Sequence, residues 1–285
     1  MDSHADNSPE PALLIIADIS GYTRYMTANA KTLAHSQTLI TLLVESMIEQ
    51  AQAPLTVAKL EGDAVFLYCR RPRDPATWAA IRADISRRLL EFFRCFREKL
   101  AELGRSNHCT CHACTHLEKL RLKIIVHSGD VLFHRVLHFE ELAGMDVIIV
   151  HRLLKNSVKA GQYLLLTEVA RRELEFPETM KFQNSFETYE DIGRVQTGFH
   201  DFDFDAPAAV ERGGKTFRAR YRESWRLYLR LWFGPFAGRG KFQNLPSESS
   251  QPGRAGFAVL TALLTPIMVP VVAVMMVFRS LKTSP

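Results

Sequence analysis

The sharpest change of pattern along the chain comes at residues 13–23, where Leu13-Leu14-Ile15-Ile16-Ala17 runs straight into Asp18, followed by Gly21 and Thr23. An unbroken apolar run of this length predicts a strand buried on both faces, here ended by a carboxylate and a tight turn. A carboxylate at the edge of a core needs a metal ion or a base beside it, because an unpaired charge there is costly. The alternative is a helix N-cap, since Asp, Ser and Thr favour that place and a helical pattern follows. Residues 56–68 then read as two β-rich runs joined by Glu61-Gly62-Asp63, a hairpin whose glycine permits positive φ. If this hairpin pairs with the first strand, Asp63 comes close to Asp18, and two adjacent carboxylates are tolerated mainly around a divalent cation.

Helical spacing covers 22–52, with Leu39, Leu42, Leu43, Met47 and Ile48 on one face. It recurs over 79–103, where Ile85, Leu89, Phe92, Phe93, Phe96, Leu100 and Leu103 form the inward stripe. Further strands are expected at 120–127, 133–139 and 163–166 and across 186–204, with a helix over 144–152. Strands interleaved with helices predict an α/β sandwich.

Two segments carry a family resemblance. Asp18-Ile19-Ser20-Gly21-Tyr22-Thr23 and Lys59-Leu60-Glu61-Gly62-Asp63 resemble the D-I-x-G-F/Y-T and K-x-x-G-D motifs of class III nucleotidyl cyclases. In the same order, Lys123-Ile124-Ile125-Val126-His127-Ser128-Gly129 is similar to that family's central strand, and 144–152 to its G-x-x-V-N-x-A-x-R helix. The likeness spans roughly 11–204. It implies a ferredoxin-like α+β nucleotide-cyclase sandwich and a homodimer, because metal-binding and base-reading residues come from opposite faces of the family's dimer.

The resemblance also implies roles for individual residues. Asp18 and Asp63, with the carbonyl of Ile19, would hold Mg²⁺ or Mn²⁺. Ser20, Gly21, Tyr22 and Thr23 would form the loop and helix start that face the triphosphate. Lys59 would read the base with Glu141, a donor and an acceptor suited to adenine and so to ATP. Arg152 would stabilise charge on the α-phosphoryl group as the 3′-hydroxyl attacks and pyrophosphate leaves. Two departures stand against turnover: Ile148 occupies the place of the family's asparagine, with Asn156 one turn beyond Arg152 as a substitute, and Asp130 follows His127-Ser128-Gly129 where a phosphate-binding arginine occurs. An adenylate cyclase, a catalytically silent nucleotide- or metal-responsive module acting through partners, and a structural membrane adaptor are the readings these residues leave open.

Composition adds three things. The net charge of +5 is uneven, with much of the excess in 215–254, which points to an anionic surface rather than a nucleic-acid-binding core. Five cysteines, three of them Cys109, Cys111 and Cys114, do not form a secreted disulfide framework and suit a reducing cytosol. With His108 they offer thiolate and imidazole ligands for Zn²⁺ in a loop at 106–116; a reduced loop without an ion is the alternative.

Residues 256–278, 23 positions without a charge, would make a helix about 35 Å long, enough to cross a bilayer. The alternative is a buried hairpin broken at Pro266 and Pro270. Before it, Arg218, Arg222, Arg226 and Arg230 recur beside Phe217, Tyr221, Trp225, Tyr228 and Trp232. If helical, that face suits an anionic membrane surface or packs on the domain. The expected organisation is a loose arm (1–11), the cyclase-like domain (12–204), a basic juxtamembrane linker (205–255), a transmembrane helix (256–278) and a short tail (279–285). Charge bias places the protein in the cell membrane as a single-pass chain, with its N-terminal domain cytoplasmic.

Overall fold

A computed structural model of the chain describes residues 8–29, 33–106, 111–137, 139–202, 221–223, 225–230 and 273–274. The chain divides into two units, the first of residues 1–23, 40–99 and 119–208, the second of 24–39, 100–118 and 209–285.

The first unit is built on β1 (Glu10–Ser20), which begins inside the stretch expected to be an arm. It lies antiparallel between β3 (Ala64–Arg70) and β4 (Arg121–Val136). The sheet continues in the order β2-β3-β1-β4-β6-β8-β7, with β2 at Thr56–Glu61, β6 at Tyr163–Thr167, β7 at Gln183–Tyr189 and β8 at Gly193–Asp201. Leu13, Leu14, Ile15, Ile16 and Ala17 are all 0% exposed, as a central strand with both faces covered requires. Burial of each larger side chain contributes on the order of 2 kcal/mol, which fixes the register firmly.

Alternation sends Leu14 and Ile16 to one face. There they join Phe66, Tyr68 and Ile125 against Val147, Val150 and Leu153, carried by or just after α5 (Met145–Arg152). Within the first unit, α3 (Pro75–Ser106) is tied to the end of α2 (Leu33–Ile48): Arg88 donates to the carbonyl oxygens of Gln50 and Ala53.

Two expectations are corrected. The helix expected at 22–52 is two helices, α1 (Tyr22–Ala28) and α2, because the amide of Asn29 turns back to donate to the Tyr25 carbonyl at 2.7 Å and caps the end of α1. Residues 133–136 are the end of β4, not a new strand; the chain turns at Leu137, φ 57°, and returns as β5 (Phe139–Ala143). After β6, a short α6 (Glu168–Glu173) is capped by the Thr167 hydroxyl.

The second unit includes the last turns of α3 from Leu100, the short α4 (His112–Thr115) and helical residues 221–223 and 225–230. In the last of these, Arg222, Arg226 and Arg230 are exposed while Leu227 is buried. Among the described residues no helix is long and apolar enough to cross a membrane. The span expected at 256–278 lies outside the described residues except for helical 273–274, and so do Arg218 and most of the linker.

One packing contact explains how α5 is held on the sheet. His127, buried in β4, is bonded through Nε2 to Asp146 Oδ1 at 2.7 Å and through Nδ1 to the Thr167 hydroxyl at 2.9 Å. The other oxygen of Asp146 accepts from the Asp130 backbone N–H at 2.8 Å. The Asp146 carboxylate occupies the space where residue 129 would carry a Cβ, which is why a glycine stands there. Gly129→Ala is therefore expected to displace Asp146 and lower unfolding stability by about 2–3 kcal/mol. Urea denaturation measures this, and a loss below about 0.5 kcal/mol would contradict the packing.

Candidate functional site

Cross-strand register assembles the site. Asp18, near the end of β1, faces Ala64 on β3 and Lys123 on β4. Because Glu61 pairs with Ala64, the β2–β3 turn has only Gly62 and Asp63 between strands, with Gly62 at φ 70°. The turn therefore carries Asp63 back beside Asp18, and the two carboxyl groups come within hydrogen-bonding reach. Burial, then the charge of Asp18, pushes Asp63 up to about 7. Lys123 answers part of this charge: its Nζ is 2.9 Å from Asp18 Oδ2, with both side chains 17% exposed, and it also donates to the Leu154 carbonyl.

Two oxygen donors on a rigid strand end and a tight turn suit a hard divalent cation, and their crowding is what such an ion relieves. Ile19 is paired with Leu122 and buries its side chain. Ser20 ends β1, Gly21 takes φ 90°, and Tyr22 and Thr23 open α1. Burial, then Asp63, raises the Tyr22 hydroxyl pKa.

The expected base-reading residues also meet. Lys59 Nζ lies 3.9 Å from Glu141 Oε2 and 3.6 Å from Glu61 Oε1. Sequence reasoning did not pick out His151, whose Nδ1 is 3.4 Å from Glu61 and whose ring meets Phe66 edge-on. Burial lowers the His151 pKa. Arg152 is paired with Asp191 at 3.5 Å. Ile148 is 49% exposed on α5. Asn156 is committed to its own loop, donating to the Leu153 carbonyl and the Tyr163 hydroxyl and accepting from the Val158 N–H.

His108 and Cys109 lie outside the described residues. Cys111 and Cys114 converge with His35 of α2, their ligand atoms all within 4.8 Å of one another. His35 is a lone histidine on a helix in sequence, and only its place in space marks it.

The fold is that of the class III nucleotidyl cyclase domain, in a divergent form. The chain is similar to the adenylyl cyclase CyaB from P. aeruginosa, with a TM-score of 0.51 and 15% identity over 69% of this chain and 97% of that one. It is also similar to the guanylate cyclase domain of RhGC from Catenaria anguillulae in complex with GTP, with a TM-score of 0.47 and 16% identity over 68% of this chain and 97% of that one. Residues 40–163 match the family described as Protein of unknown function (DUF2652). The chain is 32% identical over 169 residues to "Uncharacterized protein Rv2561/Rv2562" of Mycobacterium tuberculosis (strain ATCC 25618 / H37Rv), covering 59% of this chain and 76% of that one, and it belongs to that protein's family.

The raised pKa of Asp63 has a consequence for stability. Unfolded, the group titrates near 3.8 and folded at about 7, so between these values the native state holds the extra proton and stability falls as pH rises. In metal-free protein, the melting temperature of wild type relative to Asp63→Asn should fall from about pH 4 to about pH 7 and level off above. Differential scanning calorimetry across this range checks it; parallel curves would remove the carboxylate crowding.

Proposed function

We propose that this chain binds a nucleoside triphosphate with Mg²⁺ or Mn²⁺ at Asp18 and Asp63, as one subunit of a homodimeric cyclase-like module tethered to the membrane by residues 256–278. The observation that carries this reading is the convergence of the two carboxylates from separate segments, with Lys123 the nearby positive group that answers Asp18. The metal would lower the pKa of the attacking 3′-hydroxyl and clamp the triphosphate. Lys59 and Glu141, already paired, favour adenine and hence ATP. The exposed Arg222, Arg226 and Arg230 support contact with an anionic membrane on the cytoplasmic side.

Conversion of ATP to cyclic AMP and pyrophosphate is the catalytic form of this proposal. A specific observation favours a second form, a nucleotide- or metal-responsive signalling module without turnover acting through protein partners. Ile148 offers no hydrogen bond where the family has an asparagine, and Asn156 is engaged elsewhere. Loss of one such donor lowers a rate by on the order of 10²–10³.

Full-length protein in detergent, titrated with ATP in Mg²⁺ or Mn²⁺ while cyclic AMP is followed by mass spectrometry, tests both forms. Metal-dependent binding should weaken at least about tenfold in Asp63→Ala, the effect of removing a charge-assisted ligand. Binding indifferent to metal or to Asp63 would refute the site. Cyclic AMP formation lost in Asp63→Ala and raised by Ile148→Asn by on the order of 10² would establish the cyclase form; binding without product would establish the silent one.

A further inference from the structure

The second unit contains a cluster of side chains that the nucleotide reading does not use. Three ligands of the kinds favoured by borderline metal ions come together there: the imidazole of His35 and the thiols of Cys111 and Cys114. Cys111 Sγ is 3.5 Å from His35 Nδ1. Around a tetrahedral zinc, with Zn–S of about 2.3 Å and Zn–N of about 2.05 Å, sulfur and nitrogen ligands are separated by about 3.6 Å and two sulfurs by about 3.8 Å. The observed group, within 4.8 Å throughout, needs to contract only slightly to hold one ion.

The scaffold around the cluster is fixed. Tyr25, 6% exposed, donates its hydroxyl to the Ala113 carbonyl at 2.9 Å, between the two cysteines. Asn29, 2% exposed, has its Oδ1 2.9 Å from His112 Nδ1. His116 Nδ1 lies 3.0 Å from the His112 carbonyl, and its ring stacks on that of His112. Both of these nitrogens are thus committed to the loop's own shape. The Cys-x-x-Cys spacing then lets one short turn present two sulfurs to the same point, while His35 enters from a segment 76 residues away.

We propose that His35, Cys111 and Cys114 bind one Zn²⁺ per chain. Thiolate and imidazole select a borderline ion over Mg²⁺, so this site and the Asp18–Asp63 carboxylates would take different metals. Binding releases the two thiol protons and leaves both sulfurs reduced. The proposal does not depend on nucleotide binding at the carboxylate pair.

The test uses full-length protein, purified with reductant and stripped of metal, with Co²⁺ as the spectroscopic probe. One equivalent of Co²⁺ should produce thiolate-to-metal charge transfer and the visible bands of tetrahedral coordination. Zn²⁺ should displace it and millimolar Mg²⁺ should not. The signal should disappear in Cys111→Ser and Cys114→Ser, weaken at least tenfold in affinity in His35→Ala, and persist with a shifted spectrum in His35→Cys. Cys95→Ser should leave it unchanged.

Iodoacetamide labelling of the wild-type chain gives a reading that does not rely on any variant folding. Zn²⁺ should protect Cys111 and Cys114 by at least tenfold and leave Cys95 unaffected. Cobalt uptake without a thiolate band, uptake unchanged in the cysteine variants, equal labelling with and without Zn²⁺, or oxidation to a Cys111–Cys114 disulfide in the presence of Zn²⁺ would each overturn the proposal.

Discussion

The first unit depends on a conflict built into β1. Five fully buried apolar residues pin the strand between β3 and β4, and the same strand then has to end in a carboxylate. Register leaves Asp18 no freedom to escape: sliding β1 by one residue would turn Leu14 and Ile16 away from the α5 face. The carboxylate is therefore answered where it stands, by Lys123 across the β1–β4 pair. A two-residue turn at Gly62-Asp63 then adds a second carboxylate, which burial and Asp18 together hold partly protonated near neutral pH. Site geometry here follows from hydrophobic burial, because the apolar residues set the register and the register sets which charges meet.

This explains which parts were legible in the sequence. The unbroken apolar run of β1, the β2–β3 hairpin and α5 depend on local pattern, and glycine at Gly21 and Gly62 marks backbone that other residues adopt at a cost. What could not be read locally depends on tertiary partners. Periodicity continues smoothly from α1 into α2, and the break arises because Asn29 caps α1 while its side chain also meets His112. Ser128-Gly129-Asp130 looked like the end of a strand. The glycine is required instead by the Asp146 carboxylate packed over a strand that continues to Val136.

The candidate site divides in the same way. Asp18, Asp63, Lys59 and Glu141 came from motif spacing, and the structure brings them together as two pairs. Lys123 lay within a segment already singled out, yet its role depends on which residue it faces across the sheet. His35 had no local signal at all. A histidine on a helix is a common residue, and only the return of the chain at Cys111 and Cys114 makes it part of a ligand set.

The ion pairs of the ligand-free chain differ in how much they would resist a nucleotide. Lys59–Glu141 has side chains 45% and 42% exposed and a separation of 3.9 Å, and Arg152–Asp191 is more open still. Exposed pairs of this kind contribute at most about 1 kcal/mol, so a base edge or a phosphate can take either partner at little cost. Lys123–Asp18 is different, at 2.9 Å and mostly buried. A divalent ion entering between Asp18 and Asp63 has to share Asp18 with Lys123 or repel the lysine towards the Leu154 carbonyl, where it already donates a hydrogen bond. The ion's gain is the relief of two crowded carboxylates, and its cost is the proximity of a buried ammonium group. Were a metal bound there, that balance, set by a single β4 residue, would govern how tightly the carboxylate pair holds it. A triphosphate bound alongside would shift it in favour of the metal by supplying the negative charge that Lys123 and the cation can share.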